Sequence, residues 1–242
     1  MINDFSPLWI SLKIAFFASF ITLVLGVAAA RLVCKTEKAK HFLDGLFTLP
    51  MVLPPTVTGF FLLILFGKNS PLGRALGKAG INVVFSAAGA VIAAAVVAFP
   101  LMYRSARGAF EQLDPDYIAC ARTLGMKESK IFFRVILPNT RPGLLSGVVL
   151  SFARSMGEFG ATTLLAGNIP GRTQTMALAV YSAVQNNHKE AAMRWSLIIV
   201  VISFLAIFLM NRTMKRYQGT EVFSGALFRA DKSKRSKAEE EP

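Results

Sequence analysis

Long apolar runs alternate with short charged ones along this chain. Stretches at 8–30, 46–66, 84–102, 143–166 and 197–210 are almost wholly apolar. A helix rising 1.5 Å per residue needs about 20 such residues to cross the hydrocarbon core of a bilayer. The last run is short, and Trp195 extends it as an interfacial anchor. The pattern predicts an all-α, polytopic membrane protein with about five transmembrane helices.

Composition agrees: 53% of the 242 residues are hydrophobic and only 17% are charged, unlike a soluble domain of this length. Most of the 27 Lys and Arg residues lie in 31–40, 104–141 and beyond 211, and few lie in 67–78 or 172–194. The positive-inside rule then predicts an outside N-terminus and a cytoplasmic C-terminus. On that reading the net charge of +13 is the ordinary bias of cytoplasmic loops and asks for no nucleic acid. The first run has Asp4 and no base before it, and Arg31 ends it without a small-residue cleavage site. It therefore reads as a retained span and not a secretory leader. Lys13, less than two turns inside it, can snorkel to the outer surface. A transmembrane domain over 1–217 and a cytoplasmic tail over 218–242 are the expected units. The tail ends in blocks of like charge, which reads as disorder with a weak attraction to membrane lipid. Cys34 and Cys120 are placed in different loops with no partner spacing, so neither a disulfide nor a metal site is expected.

The charged interruption DPDYIACARTLGMKESKIFFRVILP, residues 114–138, stands apart. Asp114 is a good N-cap, Pro115 suits the first helical position, and Gly125 suits the residue just past a helix end. A short helix over 115–124 is expected, with Tyr117, Ala121 and Leu124 forming one apolar stripe. A second helix over 127–136 carries Lys127, Lys130 and Arg134 on one face, and Pro138 is expected to stop it. Two short helices joined at a glycine make a compact knuckle. On the residues alone it reads equally as a loop lying on the bilayer surface.

Two stretches inside the apolar runs are also irregular. Pro50, Pro54 and Pro55 cannot all continue one helix, and irregular backbone at membrane depth is tolerated where it is buried in protein or lines a cavity. Thr56, Thr58 and Gly59 follow with hydroxyls and room for close approach, which marks Pro54 to Gly59 as a candidate pathway lining. The other reading is that the prolines mark only the mouth of a packed helix. Arg154 and Glu158, four apart, neutralise one another within a span. A charge so neutralised reads better as a structural lock between spans or subunits than as a functional site. Past 166, GNIPGRTQT is punctuated by glycine and proline, and TMALAVYSAVQ is apolar but too short to span. A turn and a short re-entrant or surface helix near the outer mouth are expected, with His188 solvated beyond them.

Residues 119–138 resemble the coupling loop of bacterial ABC-importer permeases, whose pattern is E-A-A, three residues, G, nine residues, I-x-L-P. Ala119, Cys120, Ala121, Gly125, Val135, Leu137 and Pro138 fall on that pattern. Ala119 and Cys120 replace its glutamate and first alanine. LPMVLPPTVTGFFLLILF and SFARSMGEFGATTLLAGNIPGRTQT resemble permeases for tetrahedral oxyanions, molybdate and tungstate above all and sulfate next. The resemblance implies the type I importer permease fold and alternating access driven by ATP. It implies that the knuckle, Leu124 included, docks into a cleft on a cytoplasmic ATPase subunit. It also implies that Asn168, Pro170, Gly171, Arg172 and Thr173 receive an extracytoplasmic oxyanion-binding protein. The implied assembly is a homodimer of this chain, two ATPases and one binding protein, with ATP and Mg held by the partner subunit and no cofactor on this chain. A membrane enzyme, the rival reading, would need a nucleophile and base or clustered ligands, and the runs hold no such set. No G-x-x-x-x-G-K-[ST] phosphate loop is present, so the chain is not expected to hydrolyse ATP itself.

Overall fold

A computed structural model describes residues 5–209 and 212. The tail at 218–242 and the final residue of the run at 197–210 lie outside the described residues. The described part is a helix bundle built on three elements. α1 (Ser6–Lys35) and α5 (Ala87–Glu111) run parallel. Ala29, Ala30 and Val33 of α1 are buried with Tyr103, Ala106 and Phe110 of α5 at one end, and Ile14 and Ala18 with Ala90 and Ala94 nearer the other. α9 (Arg141–Met156) runs back against both. Small residues set these contacts, because within lipid the packing itself must hold helices together. A Cβ on Gly26 would stand 2.8 Å from Met102 Cγ, and one on Gly147 2.8 Å from Met102 Sδ. Any side chain at either site would push the helices apart.

The remaining elements wrap this core. α2 (Lys40–Val52) and α3 (Pro55–Phe66) form a pair bent by 110°. α4 (Pro71–Lys78) opens on Ser70, whose hydroxyl accepts from Gly73 N–H at 2.7 Å. α6 (Pro115–Thr123) and α7 (Glu128–Ile131) leave the end of α5, and α7 continues through a π-turn, Phe132–Ile136, into α8 (Leu137–Asn139). α10 (Gly160–Ala166) and α11 (Met176–Gln185) follow α9. The last described helix is α12 (Lys189–Leu209), which packs through Trp195, Ile198 and Ile202 and leaves Met193, Leu197, Val201, Phe204 and Phe208 exposed for lipid or another chain.

Several expectations are corrected here. Against the about five spans expected, three described helices are long and apolar enough to cross a membrane, α1, α5 and α12, and the α2–α3 pair, bent where the prolines predict irregular backbone, counts at most as a fourth. Pro50 is absorbed inside α2, but the Pro54–Pro55 pair is not, since two adjacent residues without N–H donors cannot continue the ladder. The run at 143–166 is broken as well. Gly157 ends α9, and a carboxylate oxygen of Glu158 accepts the Ala161 N–H at 2.9 Å, starting α10 as a new helix. The final span begins at Lys189, so Trp195 lies within it. Cys34 and Cys120 lie on α1 and α6, not in loops.

Pro138 does not stop the second knuckle helix. Its ring would crowd the carbonyl of Arg134 in a regular α-helix, and the backbone widens just before it. Leu137 N–H reaches Phe132 O, five residues back, and Thr140 N–H resumes on Ile136 O at 3.0 Å.

Candidate functional site

The knuckle is fastened to the basic end of the bundle by a continuous core. Ala121 of α6, Ile131 of α7 and Ile136 of the π-turn are buried among Val33, Tyr103 and Phe110. Asp114 Oδ1 accepts the Asp116 N–H at 2.9 Å and opens α6. The joint closes with Gly125 at φ +71°. Gly125 N–H reaches Arg122 O at 2.9 Å and Met126 N–H reaches Ala121 O at 3.1 Å, the paired bonds of a Schellman ending.

The expected stripe of Tyr117, Ala121 and Leu124 is split between two faces. Ala121 turns inward beside the half-buried Ile118, while Tyr117 and Leu124 are 57% and 80% exposed. With the exposed Cys120 between them, 117, 120 and 124 form an outward apolar stripe at i, i+3, i+7. The sequence could not separate these faces, because both are apolar at helical spacing. Of the other coupling positions, Ala119 is exposed, and Val135, Leu137 and Pro138 are half-buried.

Sequence reasoning passed over Glu128. Its carboxylate accepts from Arg122 Nε at 2.7 Å and stands 3.7 Å from Arg31 Nη2, so it ties α6 and α7 together and to α1. The hydrogen bond from Arg122 holds the Glu128 carboxyl below its ordinary value and pushes the guanidinium up. A first-turn acid beside Lys127 was its only signal in the sequence.

At the other candidate region two broken helices meet. A Cβ on Gly59 of α3 would lie 2.6 Å from Ala161 Cα of α10, and one on Gly160 would lie 3.1 Å from Pro55 Cβ and Thr56 N. The Pro54–Pro55 break and the Gly157–Phe159 break are therefore stacked. Pro54 and Thr56 are exposed, Pro55 is half-buried, and Thr58 and Gly59 are buried. Among the described residues, the buried hydroxyls of Thr58, Ser155 and Thr162 have no hydrogen-bond partner. Arg154 Nη1 and Glu158 Oε2 are 2.9 Å apart, an ion pair by distance whose alignment is not that of a hydrogen bond. The other oxygen of Glu158 caps α10, so one carboxylate fastens α9 to the start of α10.

The loop after α10 is closely self-bonded. Gly167 and Gly171 take φ +72° and +71°. Thr173 Oγ1 donates to Gly167 O at 3.2 Å and accepts the Ile169 N–H at 3.1 Å. Asn168 donates to Ser182 Oγ of α11 at 2.7 Å and accepts from Gln174 at 3.0 Å. Pro170, Gly171 and Arg172 are exposed, and Thr173 is buried. The short apolar helix expected past this loop is α11.

Residues 22–218 match the family described as "Binding-protein-dependent transport system inner membrane component". The chain is 39% identical over 218 residues to the molybdenum transport system permease protein ModB of Haemophilus influenzae, covering 89% of this chain and 95% of that one. It is 34% identical over 209 residues to the sulfate transport system permease protein CysT of Salmonella typhimurium, covering 86% and 76%. Among solved structures, the MetNI methionine ABC transporter in an inward-facing conformation superposes with TM-score 0.68 at 16% identity, covering 87% of this chain and 94% of that one, and so shares the fold. The protein is thus a multi-pass membrane component of a transport system and not itself an enzyme, and the chain belongs to the binding-protein-dependent transport system inner membrane component family.

Proposed function

We propose that two copies of this chain form the membrane pathway of an ATP-driven importer for a tetrahedral oxyanion, molybdate or tungstate first. The basic end of the bundle faces the cytoplasm, where the knuckle docks on an ATPase subunit that holds ATP and Mg. The loop of Asn168, Pro170, Gly171, Arg172 and Thr173 faces outward and receives a loaded binding protein. Pathway walls come from the break at Pro54 and Pro55 and from Thr56, Thr58 and Gly59. ATP binding draws the ATPases together, moves the knuckles and opens the pathway outward, and hydrolysis resets it. Each step is a population shift and needs contacts that differ between the two states.

One observation carries this reading: α6 is anchored inward through Ala121 while presenting Tyr117, Cys120 and Leu124 outward at the basic end. A loop lying on lipid would bury its apolar face in the interface without a second apolar face packed into the protein core. Likeness to the molybdenum permease of Haemophilus influenzae along most of both chains supports the oxyanion. The exposed hydroxyl of Thr56 at the break suits such cargo, since an anion that sheds water needs donors that do not hold it tightly. Arg154, neutralised by Glu158, is set apart from that role as a lock between α9 and α10. The weaker likeness to a sulfate permease supports sulfate as the second reading.

The discriminating experiment is ATP hydrolysis by the reconstituted complex with its binding protein and one oxyanion at a time. Molybdate and tungstate are expected to stimulate and sulfate to leave the basal rate. Stimulation by sulfate alone would select the second reading, and no response to any oxyanion would remove both.

A further inference from the structure

α2 is joined to α5 along a narrow seam. None of its residues is buried, and Phe42, Leu46, Leu49 and Val52 all stand exposed. The seam toward α5 is made by Leu43, Asp44 and Phe47. The Phe47 ring meets Phe99 and Tyr103 edge-on, with centroids 5.7 and 5.3 Å apart. Beside the rings, Arg107 of α5 ion-pairs with Asp44, and the hydroxyl of Tyr103 donates to the same carboxylate oxygen at 2.9 Å. Arg107 Nε also donates to Glu111 Oε1 at 3.0 Å, and that oxygen lies 3.0 Å from Lys40 Nζ at the start of α2. Three polar links thus cross between the two helices, two at Asp44 and one at Lys40.

The seam has a mechanical setting. Tyr103, Ala106 and Phe110, on the same stretch of α5, share one buried cluster with Ala121, Ile131 and Ile136 of the knuckle. A packed core of this kind moves as a body and does not deform smoothly. Toward its far end α2 is loosely held, Pro50 facing α1 and α5 across a cavity lined by Thr22, Leu25, Ala95 and Phe99, and it then meets the Leu53–Pro54 joint, extended at ψ 140° and 136°, before α3 turns away by 110°. A half-helix held at one end and jointed at the other is a lever.

We propose that Asp44, Arg107 and Tyr103 are positioning residues for coupling: they bind α2 to the knuckle's core, so that movement of the docked knuckle swings α2 about the Pro54 joint and acts on the pathway. This rests on the transporter reading above and adds the route by which its two sites are connected. The side chains of Asp44 and Arg107 are 28% and 19% exposed, so the pair is screened less than a surface pair. Removing one partner leaves the other charge uncompensated and α2 held by ring contacts.

The test uses the whole complex in liposomes: this chain, its ATPase partner and the loaded binding protein. It reads anion imported per ATP hydrolysed. Asp44→Asn is expected to lower that ratio roughly fivefold, within the range for residues that carry coupling, while hydrolysis still responds to the loaded binding protein. Tyr103→Phe keeps the ring and is expected to lower it about twofold. Asp44→Arg combined with Arg107→Asp re-forms the crossing pair, with Lys40 left to neutralise Glu111, and is expected to recover most of the loss. An Asp44→Asn ratio equal to the parent's overturns the lever while leaving the transporter reading intact. A lost complex or a lowered ratio that the exchanged pair does not recover shows a purely structural role and also overturns it. Failure of the parent complex to respond to a loaded binding protein removes the transporter reading itself.

Discussion

The knuckle and the stacked breaks are both irregular, and they are built in opposite ways. At the knuckle every irregularity is satisfied: the Gly125 ending is closed by two backbone bonds, Glu128 bridges to Arg122, and the inward face is buried. At the stacked breaks the chain makes close backbone contacts but leaves the hydroxyls of Thr58, Ser155 and Thr162 unpaired. A docking element has to keep its shape while loads pass through it. The stacked breaks, proposed as pathway lining, keep hydroxyls buried and unpaired at a cost in stability.

The largest effect is expected at the stacked breaks. Gly59→Leu places a side chain against Ala161 Cα, a backbone atom that cannot step aside, and overpacking of this kind costs roughly 1–3 kcal/mol. Thermal unfolding of the purified protein in detergent is expected to fall by several degrees, with transport lost. An unchanged melting temperature would show that α3 and α10 do not pack as described.

At the knuckle, the same kind of change is expected to spare stability and break function. A Cβ on Gly125 meets no atom within 4 Å, so Gly125→Asp costs only the left-handed backbone, about 1 kcal/mol. The protein is expected to remain folded in the membrane, to lose co-purification of the ATPase, and to lose anion-stimulated hydrolysis. Parent-like behaviour in both assays would reduce the knuckle to a surface loop.

These two glycines also show what the sequence made legible. Gly125 was readable because a cap, a proline and a glycine at fixed offsets describe one short helix and its end. Gly59 was readable only as a site of close approach, since its partner Ala161 is about a hundred residues away and nothing local points to it. For the same reason hydropathy merged α9 with α10: Gly157 and Glu158 end one helix and start another without interrupting an apolar run. The π-turn before Pro138 was hidden because proline in a sequence signals a stop, and only tertiary anchoring of Ile131 and Ile136 makes continuing worthwhile. The Asp44–Arg107 pair was invisible, its members lying on different helices.

A smaller effect is expected from pH. Glu128 carries a lowered carboxyl pKa, so what its bridge contributes is complete above the ordinary value of 4.5 and is lost as pH falls through the depressed one. Hydrogen exchange at the Gly125 and Met126 amides is expected to be flat from neutral pH down to about 5, once intrinsic rates are divided out, and to quicken below the ordinary carboxylate range. Quickening already near neutrality would assign the change to another group. The smallest effect is expected from Lys130→Ala, because one exposed charge at an interface rim contributes little to affinity. ATPase co-purification with this variant should match the parent, and a large loss would move the docking face from the 117–120–124 stripe to the basic face of α7.

The central claim, that the outward stripe of α6 is the cytoplasmic docking face, is tested most directly by a cysteine at Leu124. In a chain carrying Leu124→Cys, with Cys34 and Cys120 replaced by alanine, a membrane-impermeant thiol reagent is applied to vesicles of each orientation, with the ATPase bound and after it has been stripped. The account predicts labelling only from the cytoplasmic side, and only when the ATPase is absent. Labelling from the outer side, or equal labelling with and without the ATPase, would contradict it.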